Sequence, residues 1–197
     1  TWDFSKKFPD DSREVDEVLP YKGQWFEGDI LDPIPEYTAI LTRNYPLIGV
    51  ILAAYRPTPD ALQMLGWYSQ EKDRAKVKYN QPVEILQFPL KLGDSWLNKP
   101  TATGSFPKNL TLYNASEDYE FNVDAKGKAK LPAGTYDVLR LRMKFSQTQT
   151  LPTFASLSRI TYFFVAECFG IVARVDSKLY ESNENFTKAS RLKRLSD

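Results

Sequence analysis

Short apolar and aromatic runs recur along this chain, alternating with polar residues most cleanly in one hairpin, and nowhere do they hold a helical spacing for long. The clearest stretch is DAKGKAKLPAGTYDVLRLRMKF, Asp124 to Phe145, where Leu139, Leu141, Met143 and Phe145 alternate with Arg140, Arg142 and Lys144. A period of two sends successive side chains to opposite faces of a strand, so one face is apolar and the other basic. Lys126, Lys128 and Lys130 repeat that period just before it. A three-residue loop, Pro132-Ala133-Gly134, sets Leu131 opposite Thr135, with Gly134 supplying a positive φ. In that register Ala129 and Leu131 share the face of Leu139 and Leu141, and the lysines lie on the side of Arg140 and Arg142.

Residues 24–31, 37–42, 47–55, 61–68, 75–79, 83–88, 110–113, 119–123, 127–131, 135–145, 158–166 and 170–176 read as strands. They are rich in β-branched and aromatic residues and punctuated by Pro, Gly and Asn–Asp clusters. No segment keeps apolar residues at i, i+3, i+4 and i+7 over three turns. The expectation is a mainly β fold, either one antiparallel sandwich or a strongly curved sheet or half-barrel, with few short helices. Residues 1–22 read as an extended arm packed on the domain through Trp2 and Phe4. Residues 23–197 form a single β domain with a polar tail from about residue 177. Residues 97–108 and 146–157 are polar and rich in Pro, Thr and Ser, so they read as long loops, the expected place for ligand contacts.

Composition narrows the chemistry. With 197 residues, 42% hydrophobic and 26% charged, the chain suits one globular core. Its longest apolar run, Pro46 to Tyr55, is far short of the ~20 residues of a transmembrane helix. Lys and Arg number 26 against 25 Asp and Glu, a net charge of +1, so no global field draws nucleic acid. There is no histidine, which excludes His-based triads, His-ligated zinc and haem with a proximal His. Cys168 is the only cysteine, so an internal disulfide is impossible, and its apolar strand context predicts a buried, inert thiol. No metal or cofactor is expected. The start at Thr1 reads as a mature terminus from which a signal peptide has been removed.

Several elements in order resemble one family. Thr1-Trp2-Asp3-Phe4-Ser5, Phe88-Pro89-Leu90 with Gly93-Asp94-Ser95-Trp96, and Gly127 to Tyr136 followed by Val138-Leu139-Arg140 carry the resemblance. Tyr162-Phe163-Phe164-Val165 leading to Gly170-Ile171-Val172 completes it. This pattern is similar to uncharacterised exported proteins of the Bacteroidota and related phyla. The resemblance implies export to the periplasm, the cell surface or the medium, and β architecture, with no catalytic residue. A looser analogy joins the curved half-barrels of periplasmic lipoprotein carriers, at the level of fold only.

Lys128, Lys130, Arg140 and Arg142 are the candidate ligand-binding residues, suited to anionic lipid headgroups or acidic glycans. Their ordinary role is a solvated sheet face that aids solubility. Asp118 and Glu120, with Glu117 and Asp124 nearby, are the carboxylates a calcium site or glycosidase would use, or an exposed acidic strand. Trp25, Trp67 and Trp96 suit either a sugar-stacking platform or the core. The favoured expectation is a non-catalytic binding module for a lipid or glycan. The alternatives are a structural or adhesive surface module and a carboxylate-dependent hydrolase. Another envelope protein is a further possible partner.

Overall fold

The computed structural model describes residues 1–12, 17–29, 39–45, 49–71, 75–106 and 111–196. Its elements are β1 (Trp2–Asp3), β2 (Val18–Pro20), β3 (Ala39–Tyr45), β4 (Gly49–Pro57), β5 (Ala61–Ser69), β6 (Lys76–Gln87) and β7 (Ser95–Asn98). They continue with β8 (Thr101–Phe106), β9 (Thr111–Leu131), β10 (Gly134–Leu151), β11 (Ala155–Ala166), β12 (Gly170–Ser177) and β13 (Ala189–Arg194). All thirteen join one sheet in the order β13-β12-β11-β10-β9-β8-β6-β5-β4-β3-β2, with β1 and β7 added on β9. The sheet is antiparallel except for the short parallel pair β1–β9 and curls into a half-barrel. Among the described residues there is no helix, and none long and apolar enough to cross a membrane.

The long hairpin β9–β10 is the spine. Its far edge is shared by three short strands: β8 along residues 111–116, β7 along 119–122 and β1 at Ala129 and Lys130. Curling closes the inner face on itself. Ala53, Tyr55, Val83, Ile85 and Leu86 pack there against Phe121, Val123, Leu141, Met143 and Phe163. A break in register helps the sheet bend, because Gly66 pairs with Lys78 whereas Met64 already pairs with Val83.

The outer face is apolar too, and chain segments cover it. Trp2, Phe4 and Phe186 lie against Ala129, Val138, Tyr162 and Phe164, with Trp2 and Phe4 both edge-on to Phe164 at 5.1 and 4.9 Å. The arm is thus anchored by the two aromatics its sequence singles out. Gly127 makes the seat possible, since a Cβ there would stand 2.8 Å from the Trp2 ring. Tyr21 and Phe26 cover Leu52, Ala54, Leu65 and Tyr68 on the other flank.

Several expectations need correction. The turn of the hairpin has two residues, Pro132 and Ala133, because Leu131 pairs with Gly134, whose φ is +138°. One residue of register flips every side chain of a strand. Ala129 and Leu131 therefore share the outer face with Val138, not the inner face with Leu139 and Leu141. Asp124 supplies the second reason: it is an extra residue between Val123 and Ala125, a bulge that switches β9 from one face to the other. Residues 21–28 are turns rather than a strand; residues 30 and 31 lie outside the described set, as do 37 and 38, while 39–42 fall in β3 as the sequence predicts. The two polar stretches read as loops are largely strand. β7 and β8 occupy the first, apart from Lys99 and Pro100 between them and residues 107 and 108, which are not described, while β10 runs on to Leu151 and β11 begins at Ala155 in the second. The tail contains β13, paired with β12. Cys168 is exposed in the β11–β12 turn with φ 63°, because the strand ends at Ala166.

Candidate functional site

The alternation of β10 carries its cations to the outer face, where acids meet them. The bulge turns the Asp124 carboxylate toward Arg140, which donates to it through Nε at 2.7 Å and Nη2 at 3.1 Å. The same guanidinium lies 4.7 Å from the Tyr162 ring centroid. Arg142 pairs with Glu184, and Lys144 reaches the same carboxylate at 2.6 Å. The Lys144 ammonium, followed by Arg142, holds the Glu184 carboxyl below its usual range. The Glu184 carbonyl accepts from the Tyr162 hydroxyl at 2.7 Å, so the segment that covers this face is tied down by both charge and hydrogen bonding.

Lys128 and Lys130 stand elsewhere. They pair across the hairpin with Asp137 and Thr135, on the face of Leu139. Lys128 contacts Asp137 at 2.9 Å in solvent. Lys130 is exposed beside Asp3; the Asp3 carboxyl is lowered chiefly by hydrogen bonds from Ser5 and to a smaller degree by Lys130. The four candidate cations do not form one basic patch. They divide into two pairs on opposite faces.

The carboxylates divide as well. Asp118 and Glu120 share the outer face, with Lys99 at 3.8 Å and Lys144 at 3.9 Å respectively. Glu117 points inward and is 3% exposed. Tyr119 donates to its Oε2 at 2.6 Å, and Gln147 to its Oε1 at 2.8 Å. Gln147 also donates to the Tyr113 hydroxyl at 2.6 Å, and the Tyr79 and Tyr119 hydroxyls are 3.1 Å apart. Burial pushes the Glu117 carboxyl above its usual range, against the lowering effect of the hydroxyl and amide donors around it. Burial likewise raises Tyr79 and Tyr119 well above the normal phenol value. Tyr113, Ala115, Glu117, Tyr119 and Phe121 alternate along β9. That period was the signal for an inward Glu117, and its acidic neighbour Asp118 obscures it.

A second buried carboxylate, Asp176, accepts from Thr161 at 2.7 Å and from Arg174 at 2.8 Å. Asp176 lies on β12, three strands from Glu117 on β9. At ~4.8 Å per strand spacing their separation is on the order of 14 Å. Paired glycosidase carboxylates stand about 5–9.5 Å apart, so these two do not form such a pair. An open depression of about 380 Å³ lies on the outer side, lined by Ser95, Trp96, Leu97, Glu120, Phe121, Asn122 and Arg142. The tryptophans are structural: Trp96 stacks on Phe121 at 4.9 Å, Trp25 donates to the Ser69 carbonyl at 3.1 Å, and Trp67 packs with Tyr113.

No known protein family, curated protein or solved structure matches the chain.

Proposed function

We propose that this protein is a non-catalytic, exported module of the bacterial cell envelope that works through its exterior, contacting lipid or glycan there. The observation that carries this reading is the filled interior. The concave face that would hold an acyl chain in a carrier is occupied by Phe121, Leu141, Met143 and Phe163 packed against Val83 and Ile85. Among the described residues, side chains packed in this way fill the space a ligand tail would take. The separation of Glu117 from Asp176 and the lysine partners of Asp118 and Glu120 weigh against the hydrolase alternative. The same filled interior also favours the adhesive reading, in which no small ligand is involved and the exterior meets another envelope component.

A screen of glycoside, ester and phosphoester substrates tests the non-catalytic assignment. The expected result is no turnover above buffer. Reproducible turnover abolished by Glu117→Gln or Asp176→Asn would overturn it.

A further inference from the structure

We propose that the far end of the β9–β10–β11 hairpins is a lipid-contact tip that seats the molecule on a bilayer surface. Four large side chains are exposed at this end: Leu112 at 65%, Leu151 at 44%, Phe154 at 77% and Tyr180 at 66%. The register gathers them. Leu151 pairs with Asn114, two residues along β9 from Leu112. Phe154 sits in the turn between β10 and β11. Tyr180 is held beside the start of β11, its amide donating to the Ser158 carbonyl and its hydroxyl to the Ser156 carbonyl, both at 2.8 Å.

The second observation is charge. From Ser146 to Ser158 there is no charged residue, and none from Thr111 to Ser116, in a chain that is 26% charged. The polar residues of the strand ends, Gln147, Thr148, Gln149 and Thr150 among them, are neutral, and the ions of this end are Lys178 and Glu181 on the segment that carries Tyr180. The backbone of Gln147, Thr148 and Gln149 is paired in the ladder on both sides, Thr150 is a bulge, and pairing resumes at Leu151↔Asn114. The ends of β9, β10 and β11 have what an interfacial segment needs: apolar tips, an aromatic at headgroup depth, no ion of their own to desolvate and a backbone paired up to the Thr150 bulge. A protein-binding surface more commonly has a polar, charged rim around its apolar centre. The opposite end of the same hairpins bears Lys126, Lys128 and Lys130, so the molecule is polarised along the strands.

This inference rests on the reading of the protein as an exterior binder. The test is co-sedimentation of the full chain with phosphatidylcholine vesicles and with vesicles that also contain phosphatidylglycerol. Binding to both, little changed by salt, is expected. The combined change Leu112→Ser, Leu151→Ser and Phe154→Ser should weaken it at least about tenfold, while Phe169→Ser, an exposed aromatic at the opposite end, should leave it intact. A circular dichroism spectrum matching the parent shows that the variant is folded, and Phe154→Trp in the otherwise intact chain gives a second reading through quenching by brominated acyl chains. Binding to neither vesicle, equal binding by the folded triple variant, binding to the anionic vesicles alone that salt removes, or no quenching would each overturn the tip. Such failure leaves the non-catalytic reading standing, whereas turnover in the substrate screen removes that reading and leaves the vesicle result untouched.

Discussion

The two faces of β9 and β10 handle charge in opposite ways. On the outer face Arg140 and Arg142 each find an acid, Asp124 and Glu184, at partly exposed positions. On the inner face Glu117 is buried among tyrosine hydroxyls and the Gln147 amide, with burial raising its proton affinity. The difference teaches that a near-zero net charge conceals two separate designs. The outer face neutralises its ions with counter-ions, while the inner face keeps its Lys128–Asp137 pair out in solvent near the turn and solvates the buried Glu117 carboxyl with fixed dipoles.

Opening the inner face should have the largest effect. Leu141 is fully buried there, so Leu141→Ala should cost about 2–5 kcal/mol in denaturant melts. Gly127→Ala acts on the outer face, where the added methyl collides with Trp2. A cost of about 1–3 kcal/mol is expected, together with a red shift of tryptophan emission as the arm lifts.

Glu117→Gln sharpens the contrast through pH. A carboxyl whose folded-state affinity for protons exceeds its unfolded one holds more protons when native, so stability falls as pH rises from the ordinary value of 4.5 through the raised one. In that window the parent should lose up to about 1.4 kcal/mol per pH unit from this group. The glutamine variant should lack that contribution and gain on the parent toward neutral pH. A parent whose stability instead rose across the window by more than the variant's would reverse the assignment. The smallest effect belongs to Glu184→Ala, whose pairs with Arg142 and Lys144 are half exposed; the change should stay within about 1 kcal/mol and shrink in high salt.

The sequence made some of this architecture readable and hid the rest for identifiable reasons. Leu139 to Phe145 alternates cleanly because β10 keeps its parity, and Leu141 and Met143 are buried on one face as that pattern requires. Ala129 and Leu131 were misplaced because the turn has two residues rather than three, which flips their parity against β10, and the extra residue Asp124 then returns Val123 and Phe121 to the inner face. The 146–157 stretch reads as a loop because Ser, Thr and Gln resemble linker residues. Its threonines are also good strand formers, and the long partner β9 extends the ladder through them. Lys128, Lys130, Arg140 and Arg142 seemed one patch only under a register that the two-residue turn replaces. The buried state of Glu117 was written in the β9 alternation from Tyr113 to Phe121, yet a carboxylate carries a strong prior for solvent.

A filled interior implies that any ligand is met by the exterior. Native mass spectrometry of freshly purified protein tests it most directly. The mass of the bare chain, with no acyl ligand retained in one-to-one ratio, is the predicted result. One tightly held lipid per chain, surviving buffer exchange and released only when the protein unfolds, would contradict it.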